Sequence, residues 1–190
     1  MIKILSSLLM ICSAITGFSQ TTEQPALIPA PVSQQLSTGF FTLPKAIVIE
    51  AKNQQTLSQP LSELKSHLSI PTGYTVTVAS SNPTAAIRLV LNRTPETNLG
   101  AEGYTLSVTP KTILIKANQP AGLFYGVQTL LQLLPNEIEN HGLVKKASWQ
   151  IPCTTITDYP RFGWRGLMLD VSRHFFTKEQ VKGFIDEMAK

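Results

Sequence analysis

Three kinds of hydrophobic spacing alternate along this chain: continuous runs and strict alternation predict strands, and steps of three and four predict helices. The run "KAIVIE" is short, β-branched and bounded by Pro44 and the polar "KNQQ", so it reads as a strand. In "TLSQPLSELKSHLS", Leu57, Leu61, Leu64 and Leu68 recur at steps of four, three and four, which makes one helical face. "AAIRLVLN" is an apolar run interrupted by Arg88 and reads as a half-buried strand. Two alternating runs follow, Tyr104-Leu106-Val108 and Ile113-Ile115, separated by Thr109-Pro110-Lys111 as in a hairpin. A second helical stripe runs through Leu123, Val127, Leu130, Leu131 and Leu134 and is closed by Pro135.

Together these segments predict an α+β fold, a small antiparallel sheet with helices packed on one face. Ahead of them, "EQPALIPAPVS" carries Pro25, Pro29 and Pro31, which block regular structure but allow an extended edge. Gly122 and Gly126 lie inside the apolar stripe of the second helix, with no Lys-Ser/Thr end to a phosphate loop. They therefore predict a close helix-to-sheet approach. The stretch "NEIENHGLVKKASWQIPCTTITDYPRF" reads as polar and irregular, a crossing into a final segment.

That final segment has a different pattern. "RGLMLDVS" is nearly continuous in apolar residues, as in a strand buried on both faces of a parallel sheet. "TKEQVKGFIDEMAK" follows at once, with Thr177 as N-cap and Gln180 at the capping-box position, and with Val181, Phe184, Ile185 and Met188 on one face. A buried strand leading into an amphipathic helix opens a repeated β/α architecture. One such unit cannot close a barrel of eight, which needs about 250 residues. The chain thus reads as the front part of a longer protein.

Composition narrows the function classes. The chain has 190 residues, is 43% hydrophobic and 15% charged, and carries 13 Pro and 11 Gly, a globular profile. Its formal net charge of +4 includes Lys3, and Lys145-Lys146 is the longest basic run, too diffuse for a nucleic-acid footprint. "MIKILSSLLMICSAITGFSQ" has the early positive charge, apolar run and small residues of a secretory signal peptide, cut most simply between Ser19 and Gln20. Lipoprotein processing at Cys12 is the rival, opposed by the bulky Ile11. The apolar run is shorter than the ~20 residues that span a bilayer, so no transmembrane span is expected. With the leader removed, only Cys153 remains, which excludes an internal disulfide. His67, His141 and His174 show no ligand spacing, so neither a metal nor another cofactor is expected.

The stretch "WRGLMLDVSRHFFTKEQVKGFIDEMA", preceded by "DYPRF", resembles the start of the catalytic barrel of glycoside hydrolase family 20, the β-N-acetylhexosaminidases. The segment before it, with "GYTLSVTPKTILIKANQPAGLFYGVQTLLQLL", resembles the small N-terminal domain of that family. The O-GlcNAc hydrolases have a similar small domain but a different first barrel strand. With the leader read at 1–19, the resemblance implies an α+β domain over 20–157 and the first β/α unit of an incomplete TIM barrel over 158–190.

It also implies an enzyme that removes terminal β-linked N-acetylglucosamine or N-acetylgalactosamine from glycans with retention of configuration. In that chemistry the sugar's own acetamido oxygen attacks C1, an exception to the paired-carboxylate scheme. A glutamate protonates the leaving oxygen and the preceding aspartate orients the acetamido group. No match to that pair is found in these residues, so no catalytic residue is assigned and the 190-residue chain is expected to be inactive alone.

One binding residue carries over by motif. Arg165 matches the family arginine that hydrogen-bonds the terminal sugar's hydroxyls, a task suited to a planar, always-charged fork. A strand would place Arg165 and Asp170 about 16 Å apart and on opposite faces. Asp170 with Arg173, or with a later basic residue, reads as a buried pair holding the loop after the strand, and His174 as a structural histidine, all three supporting the site. Glu179, Asp186 and Glu187 read as solvated charges on the outer side of the helix. The alternative to an enzyme fragment is a stand-alone, non-catalytic carbohydrate-binding or interaction module.

Overall fold

The computed structural model describes residues 25–189. The leader, its cleavage site and Cys12 lie outside these residues. Seven strands form one open sheet: β1 (Ser33–Thr42), β2 (Ala46–Ala51), β3 (Thr75–Ala79), β4 (Ile87–Leu91), β5 (Tyr104–Val108), β6 (Ile113–Ala117) and β7 (Gln150–Asp158). Their order across the sheet is β1-β7-β5-β6-β4-β2-β3. Helix α1 (Ser58–Ser69) joins β2 to β3, α2 (Pro120–Leu133) follows β6, and α3 (Lys178–Met188) lies near the end.

The α+β class and the layer of helices on one face agree with the sequence pattern. The sheet, however, is mixed rather than antiparallel. β2 pairs in parallel with β3 and β4, and β4 in parallel with β6, while β5 is antiparallel to β6 and β7, and β7 to β1. The reason is α1: a crossover of helical length returns the chain to the start of the sheet and lets β3 run beside β2 in the same direction.

The leucine stripe of α1 and the apolar stripe of α2 share one core with the inward residues of the strands. Leu64, Leu68, Leu123, Val127 and Leu130 meet Ile47, Ile49, Ile87, Leu106, Ile113 and Ile115, and all of them are fully buried. Gly126 fits this layer because a Cβ there would stand 2.5 Å from Ile115 Cγ2 and 3.1 Å from Tyr104 Cδ2. At Gly122 a Cβ would overlap the Gly103 carbonyl oxygen. Both glycines therefore serve helix-to-sheet packing, as their position in the stripe suggests.

Two further corrections concern strands. The stretch expected to be irregular contains β7, which lies between β1 and β5, with Ile151 and Ile156 in the core. Conversely, 165–172 forms no strand. Residues 165–170 have no regular structure and 171–173 form a turn. A strand needs a neighbour for its ladder, and none of the seven strands pairs with these residues. Helix α3 forms as its cap predicts: Thr177 Oγ1 accepts from Gln180 N at 3.3 Å, and Gln180 Oε1 accepts from Thr177 N at 2.8 Å.

Candidate functional site

Arg165 ties the last segment to the sheet domain through its guanidinium. Nη2 donates to Glu102 Oε2 at 2.8 Å and to the Tyr125 hydroxyl at 3.4 Å, while Nη1 donates to the Phe162 carbonyl at 2.8 Å. The guanidinium carbon also lies 5.9 Å from the centre of the Tyr125 ring, within cation–π range. Helix α2 presents Tyr125, and the turn before β5 presents Glu102. The Glu102 carboxylate raises the arginine's pKa further above its ordinary value, so the charge is permanent.

Around this contact lies a groove of about 470 Å³, walled by Leu27, Pro29 and Pro31 on one side and by Tyr104, Gln128 and Asp158 on the other. Val32 N donates to Asp158 Oδ1 at 3.1 Å, and Ile28 N donates to Gln132 Oε1 at 3.0 Å, so the Pro-rich segment is pinned along α2 and the end of β7. Inside the groove the Tyr104 hydroxyl bonds Thr129 Oγ1, and burial pushes its pKa well above the ordinary value. It is thus a neutral hydrogen-bonding group and not a base.

The other residues singled out by motif form a separate, local cluster. Asp170 Oδ1 accepts from Ser172 N at 2.9 Å and from Arg173 N at 3.3 Å, and Oδ2 is 3.3 Å from Arg173 Nε. The Asp170–Arg173 pair does hold a turn, but it is exposed rather than buried, with 85% of the Arg173 side chain accessible. The carboxylate serves the backbone through an Asx-type turn, which needs no protein wall around it. His174 is exposed beside it. Glu179, Asp186 and Glu187 are also exposed, and Glu179 lies 3.4 Å from Lys182 Nζ.

Sequence spacing had no means of finding Glu102 and Tyr125, which stand 63 and 40 residues from Arg165. Nor did it pair Arg88 with Glu50, 38 residues away at 3.2 Å. Among the described residues no group of three or more His, Cys, Asp or Glu side chains could hold a metal ion. No helix among them is long and apolar enough to cross a membrane.

Comparison with known proteins gives this geometry its context. Residues 24–159 match the model of glycosyl hydrolase family 20, domain 2, and residues 162–190 match that of the family's catalytic domain. The chain is 37% identical to an N-acetyl-β-hexosaminidase of Streptomyces plicatus solved in complex with thio-NAglucal. That likeness covers 85% of this chain and 31% of the other, with a TM-score of 0.78. A chitobiase structure from Flavobacterium johnsoniae is 30% identical over 85% of this chain and 25% of its own, with a TM-score of 0.66.

Among curated relatives, β-hexosaminidase subunit A1 of Dictyostelium discoideum is 31% identical over 87% of this chain, and the β-hexosaminidase of Porphyromonas gingivalis is 46% identical over 48% of it. The chain spans 31% and 12% of the lengths of these two relatives. With both family models matched in succession along one polypeptide, the chain belongs to glycosyl hydrolase family 20.

Proposed function

We propose that this chain is the N-terminal part of a β-N-acetylhexosaminidase that removes terminal β-linked N-acetylglucosamine or N-acetylgalactosamine from glycans. The observation that carries the reading is the order of the two family matches: the catalytic-domain match at 162–190 begins directly after the domain 2 match at 24–159. On this reading the division falls near residue 158, with the sheet domain before it and the first β/α unit of a barrel after it. The leader then exports the protein.

The reaction proposed is substrate-assisted and retaining. The acetamido oxygen displaces the leaving group at C1, and the proton donor and its preceding aspartate lie outside the 190 residues. Arg165 is assigned to the hydroxyls of the terminal sugar. Its three hydrogen bonds to Phe162, Glu102 and Tyr125 leave further donors of the guanidinium fork for a ligand. Asp170, Arg173 and His174 are assigned to the support of the turn that follows. An amphipathic α3 whose Ile185 and Met188 stand exposed suits a layer that packs onto further barrel elements.

The test is hydrolysis of a chromogenic N-acetyl-β-glucosaminide by the natural gene product that contains these residues, beside the 190-residue polypeptide alone. Turnover by the former and none by the latter is expected. A natural product without turnover overturns the function. Turnover by the 190-residue chain overturns the placement of the proton donor.

A further inference from the structure

A second crevice lies away from Arg165, at the carboxyl ends of the parallel strands β2, β4 and β6. It is the larger of the two, about 720 Å³. Parallel pairing sets the carboxyl ends of these strands side by side, so the residues that leave them line one crevice. Here Lys52 and Asn53 follow β2, Asn92 and Arg93 follow β4, and Lys116 is near the end of β6.

The charge balance of the crevice is specific. Four cations, Lys52, Arg88, Arg93 and Lys116, face two carboxylates, Glu50 and Glu96. Both carboxylates are engaged: Glu50 accepts from Arg88 Nη2 at 3.2 Å and from Asn82 N at 3.2 Å, and Glu96 lies 3.3 Å from Lys116 Nζ. Lys52 and Arg93 are exposed at the rim, and neither is in an ion pair among the described residues. Deeper in, Arg88 Nη2 is held by Glu50 and its Nε is enclosed, while 41% of the side chain stays accessible and lines the crevice.

The remaining lining is suited to hydroxyls and to the carbon skeleton that bears them. Asn53, Asn92, Ser81 and Thr94 supply polar groups, while Leu89, Val90 and Leu91 supply an apolar wall. The lining contains no aromatic ring, so a neutral sugar has nothing to stack on, and charge has to supply the attraction.

We propose that this crevice binds a small polyhydroxylated anion of the sugar-acid or sugar-sulfate class. The anionic group lies between Arg88 and the rim cations Lys52 and Arg93, and the hydroxyls face the amides. The proposal does not depend on the glycosidase reading, since the crevice belongs wholly to the sheet domain and shares no residue with the groove around Arg165.

The experiment is calorimetric titration of the 190-residue chain at low ionic strength with a disaccharide carrying a uronate and a sulfate ester. Its neutral counterpart and inorganic sulfate are titrated in parallel. Binding of the charged disaccharide alone is expected, weakening about tenfold in a Lys52→Gln/Arg93→Gln double variant. Affinity is expected to be unchanged in a Lys145→Gln/Lys146→Gln control, whose lysines are exposed elsewhere. No binding of the charged disaccharide overturns the proposal, as does unchanged affinity in the double variant. Sulfate binding as tightly as the disaccharide also overturns it, because the site would then take an adventitious ion only.

Discussion

The sheet domain and the segment after Asp158 are both rich in apolar side chains, yet those side chains meet opposite fates. In the sheet domain Ile47, Ile49, Leu106, Ile113 and Ile115 are fully buried. In the later segment Trp164 is 86% exposed, Met168 90% and Phe175 89%. The contrast is one of neighbours and not of composition. A strand residue is buried when a helix stripe covers its face and a paired strand closes its edge, and 165–172 has neither.

The largest test of this contrast is truncation in each region. Ile115→Ala or Leu106→Ala removes a fully buried side chain from under α2 and should cost about 2–5 kcal/mol in urea denaturation. Met168→Ala should change stability by less than about 0.5 kcal/mol, because the side chain is already in water. Equal losses in both regions would break the comparison.

Overpacking comes next. Gly126→Ala gains about 1 kcal/mol of helix propensity. It also drives a methyl group against Ile115 and Tyr104, a cost of about 1–3 kcal/mol. The expected net effect is a lowered melting temperature, whereas the same change at the exposed Gly183 of α3, where a Cβ meets nothing, should favour the helix.

A third expectation concerns acid. The hydrogen bond from Arg88, then that from Asn82 N, hold the Glu50 carboxylate below its usual 4.5. A group with a lowered folded-state pKa stabilises the fold above the unfolded value, and that contribution is lost as pH falls through the folded pKa. Melting temperature measured from pH 7 downward should therefore fall below about 4.5, and Glu50→Gln should flatten part of that fall.

A small effect is also expected at Arg165→Gln. Its pair with Glu102 is 42% and 35% exposed, and a solvent-screened pair of this kind is worth at most about 1 kcal/mol. Chemical denaturation monitored through the sheet domain should barely register it.

The sequence made α1, α2, the β5–β6 hairpin and the α3 cap legible because each has a local signature. Helical spacing, a turn and a capping box need no knowledge of what lies across the fold. β7 was hidden by Pro152 and by its threonines, which mask the alternation. Pro152 is tolerated because β5 pairs only with Thr154–Asp158, so that end of β7 has a neighbour on one side alone. It faces Phe40 just past a register shift in β1, where Gly39 takes a positive φ of 103°. β1 itself is an edge strand in which Phe41 is buried among mostly exposed residues, so it has little pattern to read.

The parallel pairings were hidden for another reason. The direction of a strand is a property of the connection before it, and side-chain alternation is the same in both directions. The motif singled out Arg165, but its partners Glu102 and Tyr125 come from contacts between distant parts of the chain. Such contacts leave no periodic trace.

The measurement that tests the account most directly is amide hydrogen exchange along the whole 190-residue chain. Amides of β5, β6 and β7 should exchange slowly, near the rate set by global unfolding. Those of 165–172 should exchange rapidly, and those of α3 nearly so, since an 11-residue helix without buried residues is marginal by itself. Strong protection at Leu167–Val171 would mean that this stretch has found a partner strand within the chain. That result would contradict the contrast between a sheet whose strands are paired and covered and a segment that has neither a partner strand nor a covering helix among the described residues.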